Sequence, residues 1–319
     1  MSTSGGTRAI IAAFLANLGI AITKFIAWAV SGSSSMLAEG VHSLADAGNQ
    51  LLLIWGGRQA RRKADQEHPF GYGRERYVYA FVVAIILFSV GGVFSIYEGI
   101  EKLADPHPLE VWWLPLLVLV VAMVLEGFSL RTAIIESNKV RGNRSWFQFV
   151  RRAKAPELPV VLLEDVAALI GLVLAFIGVG LTVITGNGVW DAIGTLAIGT
   201  LLIVVAIVLG IETKSLLVGE GANPTDLEAI EAAVLAGDEV ERIIHMKTLY
   251  LGPDELMVAA KIAFRADQRL LEVAAATNAI EKRVREAVPV ARIIYFEPDV
   301  WIDPAALPAT DVIVIKGLD

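Results

Sequence analysis

The chain has no cysteine, which excludes disulfides and thiolate metal centres and leaves the compartment open. Histidine is scarce: four in 319 residues, so imidazole chemistry is confined to His42, His68, His107 and His245. Charge is scarce as well. Asp, Glu, Lys and Arg make up 19% of the chain against 55% hydrophobic residues. With a mean hydropathy of +0.61, this is too apolar for a soluble globular protein of this size. There is no basic excess either; the net charge of −7 speaks against a nucleic-acid partner. No nucleophile–base constellation of an enzyme is present, and no cofactor is implied. Met1–Thr7 is small and polar with Arg8 the only early charge, and the apolar run that follows is too long for a signal-peptide core. That short start, without a transit-like segment, points to a bacterial inner membrane.

What is present is a series of long apolar runs. Six are long enough to cross a bilayer of about 30 Å, which takes about 20 helical residues. They are Ala9–Val30, Ser35–Gly57, Tyr77–Gly99, Val111–Ile135, Leu158–Ile184 and Val189–Ile211. The connections alternate in charge. Arg58–Arg76 and Glu136–Glu157 each carry six Lys or Arg, Ile100–Glu110 carries only Lys102, and the other two carry none. By the positive-inside rule the two basic loops are cytoplasmic, and with six spans both termini are too. The expected organisation is a six-helix transmembrane domain over 1–212 and a cytoplasmic domain over 213–319.

In that second part, Asn223-Pro224-Thr225-Asp226 is a helix start. Val240–Tyr250 and Glu255–Phe264 form a hairpin, Leu270–Val288 is helical, and Ala291–Phe296 is a third strand, with Asp311–Lys316 a possible edge strand. Helix–strand–strand–helix–strand implies an α+β sandwich of ferredoxin-like type.

The chemistry sits inside the spans. Glu39, His42, Asp46 and Asn49 follow one another at spacings of three, four and three, so they share one helix face. An acid near the bilayer centre costs roughly 2.5–3.5 kcal/mol on insertion scales, so such a stripe faces protein, water or an ion. His42 and Asp46, at i and i+4, offer imidazole nitrogen and carboxylate oxygen, the donors that suit Zn²⁺ and other first-row divalents. Further ligands must come from another helix. Glu164 and Asp165 in span five are the best placed, and they lie about 100° apart, so one of them points at span two. Glu126 in span four is a third acidic position, free to serve the site or to pair with a basic loop residue. Asn49 reads as helix–helix glue or a ligand; Glu39 as a proton relay, an outer ligand or a partner of Lys24. Glu98 and Asp191 are the other candidate partners for Lys24. His68, in the HPFGYG loop, is structural or gathers metal at the inner mouth. The intramembrane glycines read as close packing.

The motifs together resemble the cation diffusion facilitator (CDF) family over roughly residues 8–300. They are Gly32-Ser33 before span two, LAEGVHSLADAGNQ within it, HPFGYGRERY before span three, Asp191-Ala192 opening span six and Glu297-Pro298 closing the last strand. The pairing of VHSLAD with VVLLEDVAAL is nearest the zinc transporter 9-like subgroup. The resemblance implies a homodimer in the lipid bilayer, joined through its C-terminal domain and membrane helices. It implies export of divalent metal, Zn²⁺ foremost, in exchange for H⁺ by alternating access at a site between spans two and five. The family's ligands fall on His42, Asp46 and Asp165. Its remaining ligand falls on Val161, which cannot bind metal, leaving Glu164, Asn49, Glu39 or water to complete the shell. The family's His-rich loop is absent, and Ile294-Tyr295-Phe296-Glu297-Pro298 lacks the metal-sensing His, so the C-terminal domain is expected to dimerise without a binuclear zinc site. The same fold moving Mn²⁺, Fe²⁺ or Mg²⁺, and a non-transporting membrane scaffold, are the rival readings.

Overall fold

The computed structural model describes residues 3–31, 34–106 and 113–302, with side chains described from residue 9, and from residue 40 in the second helix. His107, Trp112 and the expected strand Asp311–Lys316 lie outside the described residues. The chain divides into two compact units, Met1–Gly219 and Glu220–Asp319.

The first unit is helical: α1 (Thr3–Ser31), α2 (Ser34–Gln59), α3 (Glu75–Ile86), a π-helical segment (Leu87–Val93), α4 (Phe94–Ala104), α5 (Trp113–Arg141), α6 (Trp146–Arg152), α7 (Glu157–Thr185) and α8 (Val189–Val218). Among the described residues, five helical stretches are long and apolar enough to cross a membrane: Ala9–Val30, Glu75–Ala104, Trp113–Arg141, Glu157–Thr185 and Val189–Val218. α2 has the length, 26 residues, and its polar stripe sets it apart. The stripe is turned inward: Asp46, Asn49 and Gln50 are buried, while Leu44, Leu51 and Trp55 on the other side are about half exposed. Such polarity on the inside and apolarity on the outside suits a helix whose outer solvent is lipid.

α1 packs on α2, α5 and α7; α7 packs on α8; and α3, the π segment and α4 line up against α8. Small residues set the closest approaches. A Cβ at Gly178 would sit 3.0 Å from the Trp190 carbonyl oxygen and 3.5 Å from the Gly194 Cα, so α7 and α8 touch backbone to backbone there.

Three expectations are corrected here. Span three is not one regular α-helix: the ladder loosens over Leu87–Val93, where the polar Ser89 donates back to the Ile85 carbonyl. The basic stretch Glu136–Glu157 is not all loop. Ser145 and Gln148 form a reciprocal capping box that starts α6. α8 also runs to Val218, beyond residue 212.

The second unit has the expected order: α9 (Pro224–Leu235), β1 (Val240–Gly252), β2 (Glu255–Phe264), α10 (Leu270–Ala287) and β3 (Ala291–Asp299). Asn223 caps α9 by accepting the Asp226 N–H at 2.9 Å. β1 and β2 are antiparallel, β2 and β3 parallel, in the sheet order β1-β2-β3. Leu256, Val258, Ala260 and Ile262 alternate along β2 into a core shared with Ile230, Ile280 and Val284 of the helices.

Candidate metal centre

The site grows from α2. One helical turn brings the His42 Nε2 to 3.4 Å from the Asp46 Oδ2. His42 is held from behind by the π segment. A Cβ at Gly91 would lie 3.3 Å from the His42 Cε1 and 3.4 Å from its Nδ1, so only a glycine lets the ring sit where it does without displacement. Gly91→Ala therefore pushes the imidazole by a few tenths of an ångström. Its expected effect is about a fivefold loss of metal affinity with little loss of stability, since sub-ångström errors in a donor set are costly. Gly180→Ala, whose Cβ meets nothing within 4 Å, is the matched control. Calorimetric titration of both variants in detergent checks this.

α7 brings two acids with different surroundings. Glu164 is fully engaged: Asn49 Nδ2 donates to its Oε1 at 2.9 Å and Gln50 Nε2 to its Oε2 at 3.1 Å. Asn17 Nδ2 of α1 donates in turn to Gln50 Oε1 at 3.5 Å, so three helices are tied through one carboxyl. Asp165 receives one bond, from Ser129 Oγ of α5 at 2.8 Å, and its Oδ1 is buried with no hydrogen-bond partner. It lies close enough to Asp46 for their charges to interact.

Glu126 of α5 is 1% exposed and does not reach a basic loop residue. It lines a cavity of about 20 Å³ together with Lys24, His42, Ser43, Asp46 and Asn17, room for roughly one water molecule. Lys24 Nζ donates to Ser43 Oγ at 2.9 Å. Of the partners expected for Lys24, Asp191 instead faces Lys102 across 3.3 Å. Among the described residues no three His, Asp or Glu side chains converge closely enough to hold a metal ion in this conformation. Glu39 is on α2, but its side chain lies outside the described residues.

His68 is not brought to this cavity. It stands in the loop after α2, its ring 4.4 Å from that of Tyr72 and its Nδ1 3.8 Å from Asp65 Oδ1. Tyr72 O–H and the His68 N–H both donate to Asp65, at 2.7 Å each, and hold that carboxyl below the usual carboxylate range. In the second unit, Lys261 Nζ lies 3.0 Å from both Glu297 and Asp299. That ammonium holds the Asp299 carboxyl below its ordinary value. His245 pairs with Lys261 across the β1–β2 ladder.

Several participants escaped sequence reasoning. Gln50 continues the stripe as i+4 from Asp46, and Ser129 follows Glu126 by three; both spacings were available as signals.

A partly buried imidazole and the carboxyls of Asp46 and Glu126 line one small cavity, and these are donor types that suit a first-row divalent cation. The cation efflux transmembrane domain matches residues 10–218 of the chain. The chain is 35% identical over 268 residues to the proton-coupled zinc antiporter SLC30A9, mitochondrial, of Xenopus laevis, covering 83% of this chain and 48% of that protein. It is 30% identical over 259 residues to metal tolerance protein C4 of Arabidopsis thaliana, covering 81% of this chain and 57% of that one. To the cation-efflux pump FieF of Cronobacter sakazakii it is 28% identical over 247 residues, 77% of either chain. The chain thus spans about half the length of the first two of these relatives. The match of residues 10–218 to the cation efflux transmembrane domain, with the 35% identity to the zinc antiporter, makes this integral membrane protein a member of the cation diffusion facilitator family, of the zinc transporter 9-like kind.

Proposed function

We propose that the chain exports a divalent metal ion, Zn²⁺ foremost, from the cytoplasm in exchange for protons. The observation that carries the reading is the His42–Asp46 pair, Nε2 and Oδ2 3.4 Å apart on the inward-turned stripe of α2. Metal binds these groups deprotonated, so loading releases protons, and protons arriving from the far side release the metal. An imidazole exchanges its proton close to neutral pH, which suits it to this trade. The transport cycle is alternating access: one arrangement of the bundle opens the site inward, another outward. The names of the relatives, a proton-coupled zinc antiporter and a metal tolerance protein, support the same reading.

The rest of the proposal concerns setting. α2 counts as the sixth span, because it buries its polar stripe and turns Leu44, Leu51 and Trp55 outward. The two loops with six basic residues each lie in the cytoplasm, with both termini. The membrane is the inner membrane of a bacterium. The second domain is a ferredoxin-like α+β sandwich, supported by its helix–strand–strand–helix–strand order, and with the membrane helices it joins two copies into a homodimer.

The test is reconstitution. Purified protein in vesicles carrying an internal metal-sensing dye is expected to take up zinc against an opposing proton gradient and to stop when a protonophore collapses it. Mn²⁺, Fe²⁺ and Mg²⁺ offered singly at the same pH rank the cargo. Uptake indifferent to the gradient contradicts the exchange, and no uptake of any of the four favours a scaffold.

A further inference from the structure

We propose that Glu126 is the carboxylate that completes the metal shell in place of Val161, and that Glu164 is a structural group. This rests on the transport reading above. Val161 stands one turn before Asp165 on α7 and has no donor atom. A fourth protein ligand must therefore come from elsewhere or be water. Glu164 is the nearest acid in sequence, but both its oxygens are taken by the amides of Asn49 and Gln50. Binding metal there breaks the tie between α2 and α7.

Glu126 differs on each count. It lines the same small cavity as His42 and Asp46. Its Oε1 is buried with no hydrogen-bond partner, as are the Asp165 Oδ1 and the His42 Nδ1. Unpartnered buried acceptors are rare in a folded chain and need a reason, such as a ligand absent from the structure. Its aim is fixed by the helix it stands on. Ser129, three residues on and so on the same face of α5, hydrogen-bonds Asp165, which turns the Glu126 face toward the site. Its carboxyl is close enough to Asp46, Asp165 and Lys24 for their charges to interact.

With Glu126 as a ligand the shell is one nitrogen and three carboxylates, drawn from α2, α5 and α7. Two helices of the usual arrangement become three, so α5 must move with the site or let go of the ion when the bundle changes its opening.

Equilibrium zinc binding to the detergent-solubilised full chain, by calorimetry, tests this. Thermal unfolding without metal is measured alongside. Glu126→Gln is expected to weaken binding by about tenfold or more, as even the loss of a group that only supports a ligand costs 10–100-fold. Glu126→Asp, which withdraws the carboxyl by one methylene, is expected to weaken it several-fold. Glu164→Gln keeps affinity within about twofold and lowers the melting temperature instead. Wild-type affinity in either Glu126 variant overturns the assignment, as does lost binding in a Glu164→Gln protein that melts normally. Wild-type protein that binds no zinc, or Asp46→Ala protein that binds it fully, defeats the transport reading itself rather than the role of Glu126.

Discussion

Vesicles carrying Asp46→Ala protein take up zinc at least about 100-fold more slowly than wild type under the same proton gradient. The reasoning is local. Asp46 is 5% exposed and sits one turn from His42, its Oδ2 facing the His42 Nε2 across 3.4 Å. Removing it takes away the carboxyl proposed as a ligand and leaves the cavity of about 20 Å³ larger. Metal sites lose 10–100-fold even from changes in the groups that merely support the ligands, so a ligand itself costs more. His42→Ala is expected to match it, because His42 is the one histidine in the cavity lining. Thermal unfolding of both variants without metal, measured alongside, tells a lost ligand from a folding defect. The pH dependence has a fixed sign. Ligands bind metal deprotonated, so on the loading side uptake weakens as pH falls, and acid on the release side speeds it. Rates from a metal-sensing dye, at several pH values on each side, check all of this. Full gradient-driven uptake by Asp46→Ala protein removes the basis of the exchange mechanism.

The second large effect concerns stability. The double variant Asn49→Leu, Gln50→Leu strips Glu164 of both its donors while leaving it 5% exposed. A buried acceptor left unmade costs about 1–3 kcal/mol, and more if the group is charged. Two lost bonds on one carboxyl should therefore cost about 3 kcal/mol or more, a large part of a protein's net stability. Asn17 loses its partner at the same time. The protein is expected to melt far below wild type in detergent or to aggregate on extraction. Adding Glu164→Met to the double variant should recover much of the loss, since replacing a whole buried polar set by apolar groups is often neutral. A double variant that melts like wild type contradicts the view that this carboxyl ties the helices.

Sequence periodicity made the helical spans legible, along with the order of elements in the second unit and the stripe His42, Asp46, Asn49. The reason is that burial on one face imposes a period, and α2 and β2 both keep theirs. Partners were not legible. Periodicity says that Asn49 and Glu164 face inward, not that they face each other; that depends on how α2 and α7 are set against one another. Lys24 shows the same limit: Ser43 is 19 residues away and became its acceptor through α1–α2 packing. The π-helical segment left no periodic trace, because Leu87–Val93 is apolar but for Ser89 whichever ladder it forms. α6 was legible and passed over. Its Ser145…Gln148 spacing is a helix-start signal, obscured by the basic residues around it. Glu126 was visible as an intramembrane acid, and only the three-helix packing shows that it shares a cavity with His42.

The most direct test of the exchange itself is to count protons. Zinc is titrated into the solubilised protein in a weakly buffered solution, and the protons released per bound ion are read with a pH indicator. The account predicts one zinc per chain, proton release that accompanies binding, weaker binding at lower pH, and loss of all three in His42→Ala with Asp46→Ala. Stoichiometric binding without proton release, or binding that survives in that double variant, contradicts it.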